Sequence, residues 1–122
     1  MLVGTVIERD TDWHLALVAF AGGRLWVRDG GHPPSSALRL RVLARDVSLS
    51  RDEVEGTSIQ NRIACRLEAI GHDRHPSQRL VRLRTDGGVA LLSRVTGRAL
   101  AQLALGVGDR AWAQIKSVAI VE

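Results

Sequence analysis

The sequence predicts an all-β protein of two small lobes, with one short helix in the second. Three observations carry this reading. Apolar residues recur with a period of two in short runs, turn-forming residues separate the runs, and the two halves of the chain share a pattern. Successive side chains of a strand point to opposite faces, so such alternation marks half-buried strands. Many short strands at this spacing build a small barrel or a sandwich.

Leu2-Val3-Gly4-Thr5-Val6 opens the chain in a strand-like way, and Leu15, Leu17 and Ala19 form a short stripe after it. Leu38, Leu40 and Val42 alternate with Arg39 and Arg41. Ile63, Cys65, Leu67 and Ala69 alternate with Arg62, Ala64, Arg66 and Glu68, and Val81 and Leu83 with Arg82 and Arg84. Turn signals fall between them at Ala21-Gly22-Gly23, Gly30-Gly31-His32-Pro33-Pro34, His72-Asp73-Arg74-His75-Pro76-Ser77 and Asp86-Gly87-Gly88. The helix is expected after Thr96, whose hydroxyl suits an N-cap. Ala99, Leu100 and Leu103 share one of its faces, and Gly106 is the expected residue just past its end.

The halves repeat. Val3-Gly4-Thr5-Val6-Ile7 matches Cys65-Arg66-Leu67-Glu68-Ala69, and each is followed by a turn, a strand, a double glycine and another strand. Ala44-Arg45-Asp46-Val47-Ser48-Leu49 matches Ile115-Lys116-Ser117-Val118-Ala119-Ile120. The division this implies is a first lobe over residues 1–50, an acidic linker over 51–56, and a second lobe over 57–122.

Composition bounds the function. With 122 residues, 45% hydrophobic, the core is thin and a partner surface would help it. The net charge of +4 at pH 7 comes almost wholly from arginine, Lys116 being the only lysine. That balance suits anions in general. Cys65 stands alone, which rules out an intramolecular disulfide and points to a reducing compartment. No transmembrane-length apolar run or signal segment is expected.

Catalysis finds little support. The chain has no phosphate-binding glycine loop followed by lysine, since Gly106-Val107-Gly108-Asp109 lacks the lysine and reads as a turn. His72 and His75 flank Asp73 in a polar turn, where a solvated loop is the expected state rather than a metal site. His14 and His32 are isolated. Cys65 lies on the apolar face of a strand, where a cysteine is buried and inert. Single-stranded nucleic acid would need stacking aromatics, and there are three Trp, one Phe and no Tyr. Alternating arginines then read as the solvent face of each strand.

Small anions remain. Gly56-Thr57-Ser58-Ile59-Gln60-Asn61 is a polar segment leading into a strongly patterned strand, and Gln114-Ile115-Lys116-Ser117 sets the lone lysine beside a hydroxyl. A tetrahedral dianion needs several N–H and O–H donors with some positive charge. On residue type alone, a Ser/Thr turn and a strand-end lysine explain these segments as well or better.

Together the two segments resemble the molbindin family, the Mop or TOBE-type domains that bind molybdate and tungstate. Ser58-Ile59-Gln60-Asn61 is similar to the family's Ser-x-x-Asn opening, and Ile115-Lys116-Ser117 to its Ile-Lys-Ser/Ala close. Leu91-Leu92-Ser93-Arg94-Val95-Thr96, followed by the short helix, is similar to the part between. Leu40-Arg41-Val42-Leu43-Ala44-Arg45-Asp46-Val47-Ser48-Leu49 resembles the C-terminal tail of the ATP-binding subunit of molybdate ABC transporters.

The resemblance implies OB-like β-barrel lobes that pair between subunits in a homodimer, and an oxyanion at lobe or subunit interfaces. It implies a ligand, molybdate or tungstate, and no cofactor. Ser58 and Thr57 would donate hydroxyls, the N–H groups of Ile59, Gln60 and Asn61 would line the pocket, Lys116 would supply charge and Ser117 a further donor. Gln60 stands where many relatives have Arg, which removes a charge from the site. The implied role is regulatory and non-enzymatic: a cytoplasmic domain at the inner membrane, partnered by a nucleotide-binding domain and a permease and binding no nucleic acid. Two other readings stay open at this point, a structural dimerising module and a nucleic-acid-binding OB-fold.

Overall fold

Residues 1–121 are described by a computed structural model. Ten strands, one helix and one 3-10 turn follow in chain order. The first half supplies β1 (Leu2–Asp10), β2 (Leu15–Phe20), β3 (Gly23–Arg28), β4 (Ala37–Arg41), the 3-10 turn Ala44–Asp46 and β5 (Val47–Ser50). The second supplies β6 (Asn61–His72), β7 (Gln78–Thr85), β8 (Ala90–Thr96), α1 (Gly97–Leu103), β9 (Arg110–Ile115) and β10 (Ala119–Val121). All strand pairs are antiparallel, as hairpin-connected neighbours favour.

The strands form two five-stranded sheets, β10-β4-β1-β2-β3 and β5-β9-β6-β7-β8. The sheets are therefore not the two contiguous halves. β5 leaves the first half to pair with β9, and β10 returns from the second half to pair with β4. Each lobe is completed by a strand that the other half donates. Alternation cannot reveal such an exchange, because a strand's period is the same in either sheet.

The two sheets carry the same irregularity. Pairing of β1 with β2 shifts between Val6 and Glu8, and pairing of β6 with β7 shifts between Leu67 and Ala69. These bulges align Gly4 with Cys65, one residue away from the match of Val3 with Cys65 that the sequence suggests. A one-residue slip exchanges the faces of a strand, and only the bulge-based match places buried residues on buried ones.

Most of the expected stripes are core. Leu38, Leu40, Ile63, Cys65, Leu67, Val81 and Leu83 are buried together with Val6, Leu25, Val27 and Ile115. Two stripes differ. Ala69 is exposed, because the bulge after Leu67 breaks the alternation. In β2 the core residues are Ala16 and Val18, on the face opposite to the expected Leu15, Leu17 and Ala19. Leu17 is buried as well, on the outer face and directly across from Trp26 of β3. Burial on both faces hides the period.

The double-glycine hairpins bring the lobes together. A methyl group on Gly87 would lie 1.3 Å from the Ala21 carbonyl oxygen, and one on Gly22 would lie 2.6 Å from the Thr85 hydroxyl. Only glycine lets these two turns touch backbone to backbone. Helix α1 begins as expected, with Ala99 N–H donating to Thr96 Oγ1 at 3.1 Å. Its end differs. The left-handed residue is Ala104 rather than Gly106, and Gly106 N–H instead donates to Asp109 Oδ2 at 2.8 Å.

Candidate functional site

Strand β9 lies between β5 and β6, and this order assembles the site. Asn61, the first residue of β6, pairs with Ile115, the last of β9. Ile115 pairs on its other side with Val47. Continuing the antiparallel register by one residue brings Gln60 level with Lys116. The Lys116 N–H donates to the Asp46 carbonyl oxygen at 2.8 Å, which fixes the chain as it leaves β9. Two segments more than fifty residues apart thus share one end of the second sheet.

The expected donors fall into distinct settings. Thr57, Ser58, Gln60, Lys116 and Ser117 are exposed, and Ile59 is half-buried. The Ile59 N–H donates to Thr57 Oγ1 at 3.2 Å, closing a small hydroxyl turn. Thr57, Ile59 and Gln60 line a shallow depression with Val54, Glu55, Gly56 and Arg62. Arg62 donates to the Val54 carbonyl oxygen at 2.5 Å and so ties the linker to the start of β6. On its other flank Gln60 borders a groove with Asp10, Trp13, Leu15 and Trp26 of the first lobe.

Asn61, expected to line the pocket through its main-chain N–H, uses its side chain elsewhere. Its side-chain oxygen accepts from the Trp26 N–H at 2.8 Å, and its amide donates to the Trp26 carbonyl oxygen at 2.9 Å. Both ends of the carboxamide are thus committed to β3, the edge strand of the first sheet. Sequence reasoning had no means of finding this contact, which spans 35 residues and meets main chain rather than a side chain. The supporting roles of Asp46 and Arg62 were missed for the same reason.

The other groups singled out in the sequence lie elsewhere. Cys65 is buried in the second lobe with its thiol 3.4 Å from the Ala111 carbonyl oxygen, and burial pushes its pKa up to about 11. Asp73 pairs with Arg94 at 2.6 Å, and the Arg74 N–H and Arg94 hold its carboxyl below its ordinary value. His75 shares a hydrogen bond with Ser77 Oγ at 2.8 Å. Glu68 receives a two-pronged contact from Arg84 at 2.8 and 3.0 Å, which lowers its pKa. No helix among the described residues is long and apolar enough to cross a membrane.

The family model described as "TOBE domain" matches residues 57–121, more than half of the chain. The chain belongs to the TOBE domain family. The match covers residues 57–61, the end of β9 and the short helix between them. This TOBE chain is 47% identical to the molybdenum import ATP-binding protein ModC of Methylococcus capsulatus, over 100% of its own length and 34% of the relative's. It is 49% identical to ModC of Thiobacillus denitrificans, over 99% of itself and 33% of that protein. The TOBE chain thus spans about a third of the length of the curated relatives it matches. Among solved structures it matches the cytoplasmic molybdate-binding protein ModG in a molybdate-bound form, with a TM-score of 0.80 and 24% identity, covering 98% of this chain and 92% of that one. That likeness establishes the molbindin fold, the two curled sheets and the short helix.

Proposed function

We propose that this TOBE domain binds molybdate or tungstate and serves as the regulatory part of a molybdate importer's ATP-binding subunit. The observation that supports the proposal is the register of β6 with β9, which pairs Asn61 with Ile115 and so brings the segment ending at Gln60 to the same end of the sheet as Lys116. A tetrahedral dianion is held by several converging donors and a nearby charge. Ser58 and Thr57 supply hydroxyls, Gln60 supplies an N–H group and Lys116 supplies charge, while the Ile59 N–H closes the turn on Thr57 Oγ1. The relatives' names, as molybdenum import ATP-binding proteins, favour molybdate over other oxyanions.

Thr57, Ser58, Gln60, Lys116 and Ser117 are exposed, and in this reading a second copy of the domain covers them and completes the site. In this reading the domain works as a homodimer on the cytoplasmic face of the membrane, next to the nucleotide-binding domain and the permease. A ligand bridging two subunits favours the paired arrangement by its differential affinity alone, and that is the mechanism by which it modulates transport. The chain itself performs no catalysis.

Calorimetric titration with molybdate, with sulfate in large excess as competitor, tests the proposal. Binding that sulfate does not displace supports it, and absence of binding removes it. Ser58→Ala is expected to weaken binding by about 1–3 kcal/mol, the usual cost of losing a hydrogen bond to a charged partner. Lys116→Ala is expected to weaken it further and to shift the protein toward monomer. Unchanged binding in either variant takes that residue out of the site.

A further inference from the structure

The two hydrogen bonds of Asn61 sit at a junction. On one side is β3 of the first lobe, on the other is Ile115, and immediately before Asn61 runs the segment 57–60. Trp26 is an edge-strand residue whose pairing with β2 is with Leu17, so its outward main-chain groups meet Asn61. The carboxamide therefore mimics one rung of a β-ladder between the lobes. It joins the start of β6 to β3 without any strand of the second sheet pairing there.

The residue type is selective. The N–H of Trp26 requires an acceptor and its carbonyl requires a donor, and a single planar carboxamide provides both. Aspartate retains the acceptor but turns a second oxygen toward the Trp26 carbonyl. Alanine provides neither group. Glutamine provides both at the wrong reach.

We propose that Asn61 is a positioning residue for the anion segment: through Trp26 it holds residues 57–60 against the first lobe, so that anion affinity depends on contact between the lobes. This rests on the oxyanion reading above. The Trp26 ring shares a groove with Gln60, so the same link makes Trp26 a reporter of what happens at Gln60. Anion capture that orders residues 57–60 acts on β3 through Asn61, and the indole senses it.

The test uses the 122-residue chain with Trp13→Phe and Trp112→Phe, which leaves Trp26 as the only tryptophan. Molybdate is titrated while heat and Trp26 emission are followed in parallel. Asn61→Ala is expected to lower affinity by about tenfold, in line with the loss of two hydrogen bonds, and to abolish the emission change while the far-ultraviolet circular dichroism is retained. Asn61→Gln, which keeps the neutral carboxamide at the wrong reach for Trp26, is expected to lose affinity and emission change as alanine does. Should the alanine variant fail to fold, the glutamine variant decides alone, since it removes the link to Trp26 without changing charge. Leu83→Ala, a core substitution remote from the link, is the control for general destabilisation and is expected to leave affinity and emission change intact. Wild-type affinity and emission change in the Asn61 variants would overturn the proposal while the oxyanion reading stands. Absence of heat in the wild-type protein removes both.

Discussion

Ala104 has φ of 51°, a left-handed conformation that favours glycine. It ends α1 with two bonds: its own N–H reaches the carbonyl of Ala101, and the N–H of Leu105 reaches that of Leu100 at 3.1 Å. That closure satisfies carbonyls the helix leaves open. Arg51, from the linker, adds donors to the Leu103 and Ala104 carbonyls at 2.7 and 3.1 Å. Ala104→Gly relieves the strain and is expected to stabilise the protein by about 1 kcal/mol, seen as a rise of a few degrees in the thermal midpoint. An unchanged or lower midpoint would contradict this account of the helix end. Cys65 gives a second test. Its pKa is raised from 9.0 to about 11 by burial, so the folded protein keeps the proton that the unfolded chain releases. Its contribution is intact below pH 9.0 and lost as the pH rises toward about 11. The sequence has no tyrosine and a single lysine, so few other groups titrate there. Unfolding by denaturant at several pH values should show stability falling across that window, with the fall removed in Cys65→Ala. Native Cys65 should also resist thiol reagents that label it in denaturant.

At the scale of elements, the exchanged strands close the lobes. β5 presents the buried Val47 to the second lobe, where the buried hydroxyl of Ser93 on β8 donates to the Val47 carbonyl at 2.6 Å. That bond joins the two ends of the second sheet, β5 and β8, at a point with no ladder between them. A buried carbonyl that loses its partner costs about 1–3 kcal/mol. Ser93→Ala is therefore expected to lower stability by that amount in urea unfolding, and an unchanged stability would contradict this role of the bond. The repeat of the halves put a strand after Gly87-Gly88, and the structure has β8 there. What the pattern could not say is that Ser93 faces inward toward a strand from the other half of the chain. A serine in alternating sequence is ordinarily assigned to the wet face.

For the molecule as a whole, the contact between the lobes includes backbone at Gly87 and Gly22 and the carboxamide of Asn61. Gly87→Ala would drive a methyl group into the Ala21 carbonyl, so one turn must move. A cost of about 2–4 kcal/mol is expected in denaturant unfolding, as for other overpacked positions. Gly88 has a φ of 87° and open space around it, so Gly88→Ala strains only its own backbone and should cost less. Equal costs at the two positions would mean that the hairpins do not bear on each other. Ligand binding enters at this scale too. Molybdate at one hundred times its dissociation constant would stabilise the folded state by about 2.7 kcal/mol, a shift expected to vanish in Lys116→Ala.

Local chemistry was decided in the sequence itself. Alternation set the strands, Thr96 set the start of the helix, and the double glycines set the hairpins, because each depends on neighbours a few residues away. The resemblance of residues 57–61 and 115–118 to the molbindin pattern pointed to the fold and to the segments worth watching. Only the tertiary structure decided the rest. It exchanged β5 and β10 between lobes, moved the match of the halves by one residue, and buried both faces of β2. It also tied the Asn61 carboxamide to the main chain of Trp26. The physical reason is common to all four: each is set by pairing between segments far apart in the chain, and a strand's period is the same whichever partner it meets.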